Sequence, residues 1–280
     1  MRRLITCLVG FLLAVTSTHI SRAEELPLWE AGLGFTGLSL PDYRGSDQQR
    51  FYVLPLPYLA YRGDFLRLDS NGLSGLLFHS ERVHLNISAD ASMPVQSTKD
   101  TARSGMPDLD PTVQLGPSLE ICLFKDTNSE RVVQFCLPVR AVIATDLSRW
   151  NSIGFVVHPE LTFDWRNIGP GGGWNFGLSV GPLFATEPYH DYYYEVAPRF
   201  AVPDIRPAYD ARAGYSGSLL ILSVTKRFGH FWFGAFARYD ELSGAVFADS
   251  PLMRTDHSLM AGFGVAWVFA ESKTLVHASP

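Results

Sequence analysis

The chain has little of what would place it among ordinary soluble proteins. Only 18% of its 280 residues are charged, and the formal net charge is −5. It has no basic block, which excludes nucleic acid as a partner on electrostatic grounds. Beyond residue 23 no apolar run approaches the roughly 20 residues that a helix needs to cross a bilayer. The three cysteines, Cys7, Cys122 and Cys136, lie too far apart and too far from histidines to form a zinc cluster. Gly171-Gly172-Gly173 lacks the lysine and helix of a phosphate loop. Gly214-Tyr215-Ser216-Gly217 lacks the spacing of a nucleophile elbow. The expectation is a protein that is not an enzyme, with no catalytic residue, cofactor or metal site.

What is present begins with an export signal. Arg2 and Arg3 precede an apolar core from Leu4 to Val15, and Ser21-Arg22-Ala23 offers small residues where a signal peptidase cuts. This predicts a leader over 1–23, a barrel over 24–269 and a short tail over 270–280. Cys7 falls inside the leader.

The mature chain alternates. From Ser152 to Arg166 the odd positions are Ile153, Phe155, Val157, Pro159, Leu161, Phe163 and Trp165, while the even ones are mostly polar. Successive strand residues point to opposite faces, so this reads as one strand. It is longer than the usual five or six residues, as suits a wall between lipid and a wet interior. Similar segments recur at 28–36, 51–61, 64–78, 83–89, 112–124, 131–144, 174–185, 192–197, 211–226, 231–240 and 258–269. That makes about twelve strands, an even number, as bacterial barrels require. A secreted β-sandwich would also alternate. The tryptophans Trp29, Trp150, Trp165, Trp174, Trp232 and Trp267 all fall near strand ends, however, where lipid meets water in a barrel. The last strand, Gly264-Val265-Ala266-Trp267-Val268-Phe269, resembles the terminal signal read by the outer-membrane assembly machinery, although the tail follows it. The fold expected is all-β, a transmembrane antiparallel barrel in the outer membrane of a Gram-negative bacterium. With both termini in the periplasm, loops 38–50, 198–211 and 242–256 would face outward. The connection 93–109 would face the periplasm, and the strand at 152–166 would rise from it, setting Phe163 and Trp165 in the outer girdle.

Several segments resemble the MipA/OmpV family of outer-membrane proteins. They are Pro41-Asp42-Tyr43-Arg44-Gly45-Ser46-Asp47, Pro57-Tyr58-Leu59, Gly105-Met106-Pro107-Asp108 and Gly214-Tyr215-Ser216-Gly217. The longest runs from Trp232 to Asp240, with Gly244 to Leu252 behind it. The resemblance implies an outer-membrane barrel that serves as a scaffold for a murein transglycosylase and a penicillin-binding protein. Other members are linked to adhesion or osmotic response. The family carries no assigned catalytic residues.

Three groups of residues are candidates for function. Cys122 and Cys136 flank the turn at 125–130, and a hairpin centred on Ser129 would set them opposite each other as a disulfide; the bland reading is two free thiols. Glu120, Arg140, His158, Glu160, Asp164 and Arg166 share the polar face. They would line a narrow pore for small solutes or, more plainly, fill the lumen as mutually paired charges. Lys99, Asp100, Arg103 and Asp108 in the 93–109 connection would contact a periplasmic enzyme, or else form a solvated turn. A third functional reading, adhesion, would use Tyr43, Arg44, Arg206, Tyr209 and Phe247 of the outer loops, unless these simply pack. The partners expected are outer-membrane lipid and the two cell-wall enzymes.

Overall fold

The computed structural model describes residues 25–63, 66–69, 72–75, 78–80, 82–126, 130–169 and 172–277. The leader, with Cys7, lies outside them. The strands are β1 (Glu25–Pro27), β2 (Trp29–Pro41), β3 (Gln49–Arg62), β4 (Leu66–Asp69), β5 (Gly72–Gly75), β6 (Phe78–His79), β7 (Val83–Ala91) and β8 (Thr112–Lys125). They continue with β9 (Arg131–Thr145), β10 (Trp150–Val157), β11 (Glu160–Ile168) and β12 (Trp174–Ala185). After helix α1 (Glu187–Tyr194) come β13 (Gly214–Phe228), β14 (Phe231–Glu241), β15 (His257–Glu271) and β16 (Leu275–His277). β2 to β15 form one antiparallel sheet of fourteen strands. β5 pairs with β4 and β6 with β7, so the two share one stave; β10 and β11 share another, each pairing with β9 and β12. β15 pairs with β2, which closes the ring at twelve staves. β1 and β16 pair in a separate ribbon beside the termini.

Side chains sort by parity, as alternation requires. Leu33, Phe35, Phe51, Val53, Leu115, Leu161, Val180, Phe263 and Val265 point out, with Phe35 71% exposed. A contiguous apolar band of this kind needs lipid against it. The inward residues of β2, β14 and β15 include Gly32, Gly34, Gly234, Gly262 and Gly264. A Cβ on Gly234 would meet the Trp232 ring at 2.3 Å, and one on Gly262 would meet Phe236 at 2.5 Å. This glycine wall makes room for large side chains inside the barrel. Trp232 is therefore not a girdle residue. It turns inward against Tyr58, with ring centroids 5.4 Å apart.

The total of twelve agrees with the expectation, but two of its parts do not. Within the segment 64–78, β4 and β5 pair antiparallel, Leu66 with Gly75 and Asp69 with Gly72, and strands of four residues are too short to show their reversal by alternation. The segment 192–197 is not a strand: Tyr192–Tyr194 ends α1, which Pro188 starts in its first turn. Aromatic residues favour strands, but here Tyr189, His190 and Tyr194 are buried at helical spacing. One missed stave and one invented stave cancel in the count, but they reverse every strand between them. The connection 92–111 therefore lies at the end opposite the termini, with the other long loops. The stave of β10 and β11 runs down toward the termini, so Trp165 sits at that rim, where Arg131 lies 4.9 Å over its ring.

That stave is also not one continuous strand. A β-bulge between Ser152 and Gly154 flips the parity, and Gly154 takes φ +105. Ile153, expected to face lipid, is turned inward and buried, while Phe155 stays outside. Pairing breaks again at His158-Pro159, because proline has no donor for the ladder.

Candidate functional site

The long loops fold back over one mouth of the barrel as a packed cap. Its core joins Tyr43, Val95, Leu109, Tyr194, Val196, Ala211, Leu242, Ala245, Phe247 and Leu252. Tyr194 and Phe247 stack with centroids 3.7 Å apart. Complete burial of Leu242, Phe247 and Leu252 stabilises the cap by about 1.5–3 kcal/mol for each side chain. The 92–111 connection is fastened into it. Ser46 donates to Asp100 at 2.9 Å, Arg103 donates to the Tyr193 carbonyl at 2.9 Å, and the Asp108 carboxylate accepts from the Ser97 amide at 2.7 Å. Burial lowers the Arg103 pKa. Of the four residues expected to meet a periplasmic enzyme, Asp100 and Arg103 are buried fasteners and Asp108 is a turn ligand. Lys99 is exposed but sits at the far end from the termini. That placement corrects the periplasmic expectation. Tyr43, Arg44, Arg206 and Phe247 are likewise buried within the cap.

The cap sits on an ion cluster at the barrel mouth. Arg44 reaches Asp240 at 2.9 Å and donates to the Ser216 hydroxyl at 3.1 Å and carbonyl at 2.7 Å. Arg238 bonds both oxygens of Asp240, at 2.8 and 3.0 Å. His190 of α1 lies 3.0 Å from the Ser216 hydroxyl, and its other ring nitrogen faces the Arg212 carbonyl. Burial lowers the His190 pKa, so the ring bridges cap and barrel in its neutral form. Ser216 and His190 meet as a hydrolase pair would. Both are 0% exposed, however, and the second imidazole nitrogen faces a carbonyl rather than a carboxylate.

Beneath the cap lies a cavity of about 520 Å³. Leu38, Leu183, Leu219, Ile221, Phe236 and Met260 line one side, with Arg238 of β14 set between Ile221 and Met260; Asp90, Arg140, His158 and Glu160 line the other, from β7 to β11. Arg140 donates to Ser88 at 2.9 Å and stands 3.7 Å from Asp90. His158 stands 3.6 Å from Glu160, which accepts a bond from Ser179. Of the six residues expected to line the lumen, Arg140, His158 and Glu160 meet here. Glu120 lies farther along the inner face, bonded to Asn86 rather than to Arg140. Asp164 follows on β11, and Arg166 sits near the termini rim, its amide donating to the Glu130 carbonyl.

Toward the termini the lumen holds a second ion cluster. Glu30, 6% exposed, holds Arg62 at 2.7 Å and Arg227 at 2.6 Å, next to Tyr58 and Trp232.

Both cysteines are free. Cys122 faces Gln134 and Cys136 faces Glu120, a hairpin register two residues away from the one that would pair them. Diagonal neighbours of this kind sit about 7–8 Å apart, beyond the reach of a disulfide.

Sequence reading missed the Arg44–Asp240–Arg238 and Glu30–Arg62–Arg227 clusters, since each joins residues almost 200 positions apart. A signal was nonetheless present. Arg44, Ser216 and Asp240 come from three of the segments quoted for the family resemblance, and they meet at the mouth. Tyr58, from a fourth, meets Trp232 at the floor.

A family model described as "MltA-interacting protein MipA" matches residues 33–269. A search of the curated proteins found no match. Among solved structures, a bacterial polysaccharide outer membrane secretin is 10% identical over 86% of this chain and 99% of its own, with a TM-score of 0.39. The CymD monoaromatic hydrocarbon channel is 11% identical over 89% and 90%, at 0.38. The outer membrane protein OprG from Pseudomonas aeruginosa is 10% identical over 88% and 94%, at 0.21.

Proposed function

Because the chain belongs to the MipA family, we propose that it is an outer-membrane barrel that anchors cell-wall enzymes, a murein transglycosylase and a penicillin-binding protein, at the periplasmic face. The observation that carries this reading is the family match over residues 33–269, under a description that names an interacting enzyme. The structure adds support in one respect. A cap at one mouth and a charged floor at the other suit a rigid anchor better than an open conduit. The docking surface is moved from the 93–109 connection to the termini rim, with its short turns and the β1–β16 ribbon. Short turns mark the periplasmic side of such barrels.

Export is part of the proposal: residues 1–23 act as a leader, so the mature protein isolated from membranes should begin at Glu24 by N-terminal sequencing. Immobilised full-length barrel should capture the transglycosylase. Truncation after Glu271, which removes β16, should weaken capture, while Lys99→Glu in the cap should leave it unchanged. No capture by the intact protein would end the scaffold reading. Capture sensitive only to Lys99→Glu would return the contact to the loop end.

A second reading, a narrow pore for small solutes, draws on the polar side of the cavity. Steady single-channel conductance in planar bilayers would favour it over the anchor.

A further inference from the structure

The chamber beneath the cap has a use that scaffolding does not require. It is two-sided. Leu38, Leu183, Leu219, Ile221, Phe236 and Met260 form an apolar wall; the Arg140 guanidinium stands on β9 away from it, and Arg238 rises within it on β14, between Ile221 and Met260. Structural ion pairs use up only part of those groups. Arg140 gives Nε to Ser88, while its Nη1 stands 3.7 Å from Asp90, too far for a hydrogen bond. Arg238 gives Nε and Nη2 to Asp240, which leaves Nη1. Beside them His158 is buried, and its Nε2 makes no hydrogen bond. An orphaned buried nitrogen of this kind is costly unless something fills the site. Of the acidic groups nearby, Asp240 is engaged by two arginines and Glu160 by Ser179 with His158 alongside, while Asp90 stands off from Arg140 at 3.7 Å. The volume, about 520 Å³, lies within the range of small-molecule sites.

We infer that this chamber binds a small amphiphilic carboxylate, with its apolar body against the Leu219–Ile221–Met260 wall and its head group accepting hydrogen bonds from Arg140 and Arg238. Bonds from guanidinium to carboxylate are charge-assisted and short, and they fix orientation as well as affinity. An uncharged head of the same length would forgo them. The inference does not depend on the anchor reading, since the chamber lies at the mouth away from the proposed docking rim.

The test uses the full-length protein in lipid nanodiscs, titrated calorimetrically with decanoate and with decanol; empty nanodiscs correct for partition into lipid. Decanoate should bind saturably at one site, at least about tenfold more tightly than decanol, a difference of about 1.4 kcal/mol. Arg140→Met should abolish that preference. Met260→Trp, which fills the chamber from β15 beside Arg238 and changes no charged residue, should abolish binding of both. Circular dichroism checks that each variant keeps its β-structure, and Met260→Trp carries the test if Arg140→Met does not fold. Absence of saturable decanoate binding by the wild type would overturn the inference, as would binding that survives Met260→Trp. Equal affinity for acid and alcohol would overturn the assignment of Arg140 and Arg238 to the head group.

Discussion

Asp240 shows how much one side chain can hold in place here. It is 0% exposed and neutralises two arginines, one from the loop after β2 and one from its own strand. Removing one partner from a buried ion cluster leaves the others charged without compensation. Asp240→Asn is therefore expected to cost about 3–5 kcal/mol, read as a lower thermal midpoint in detergent. Arg149→Ala, whose pair with Asp146 is 84% exposed on the arginine side, should change nothing measurable. Asp191 of α1 behaves in the opposite way. Burial, then the charges of Glu195, Glu187 and Asp210, push its pKa up to about 6, and Oδ1 has no hydrogen-bond partner. Because the folded-state pKa is raised, this group favours the folded state below its unfolded value near 3.8. That contribution is lost as pH rises through about 6. Asp191→Asn should thus stabilise the protein at pH 7, by about 1 kcal/mol after discounting for partial exposure, and make no difference at pH 3.

Single elements are shaped by features that alternation does not encode. The stave of β10 and β11 reads in the sequence as one uninterrupted strand, yet a bulge and a break divide it. At the bulge Gly154 takes φ +105, and a Cβ there would meet the Thr186 hydroxyl at 2.1 Å. That hydroxyl also accepts from the Phe155 amide at 3.0 Å, tying the stave to the residue before α1. Gly154→Ala is expected to cost about 1–3 kcal/mol through backbone strain, and more through the collision. Gly105→Ala, at φ +82 with open space around it, meets only the strain and should cost less. Chemical unfolding of both variants compares the two. The last stave shows the reverse case. Ser258, Met260, Gly262, Gly264, Ala266 and Val268 point in, while Leu259, Phe263, Val265, Trp267 and Phe269 point out. Its parity was fully legible, because nothing interrupts the stave until the bulge near Phe269.

For the whole molecule, the decisive feature is which mouth each loop occupies. The structure gathers 42–48, 92–111, 146–149, 186–213 and 242–256 at one end, and the termini at the other. Ser104→Cys should therefore react with a membrane-impermeant maleimide on intact cells, and His230→Cys, in the two-residue turn after β13, should not. Labelling of the second and not the first would reverse the orientation. Cap and floor also divide the labour within the barrel. The cap is an apolar core with hydrogen-bonded fasteners, while the floor is an ion cluster around Glu30. Between them lies the chamber, whose opening or filling depends on both.

Sequence alone determined the class of this protein, because a two-residue period and a lipid-facing stripe are local properties that each strand carries by itself. It also determined which residues of β12 and β15 face inward, and that Arg140, His158 and Glu160 share a face. Tertiary structure decided what depends on counting and on distance. A short hairpin at 66–75 and a helix at 187–194 could be told apart from strands only by their partners, and that parity set the location of the 93–109 connection. The register of the β8–β9 hairpin, which sets Cys122 opposite Gln134, decided that the two thiols do not meet. Arg44 finds Asp240, and Glu30 finds Arg227, only once the ring has closed, since ring closure alone brings residues almost 200 positions apart within hydrogen-bonding distance.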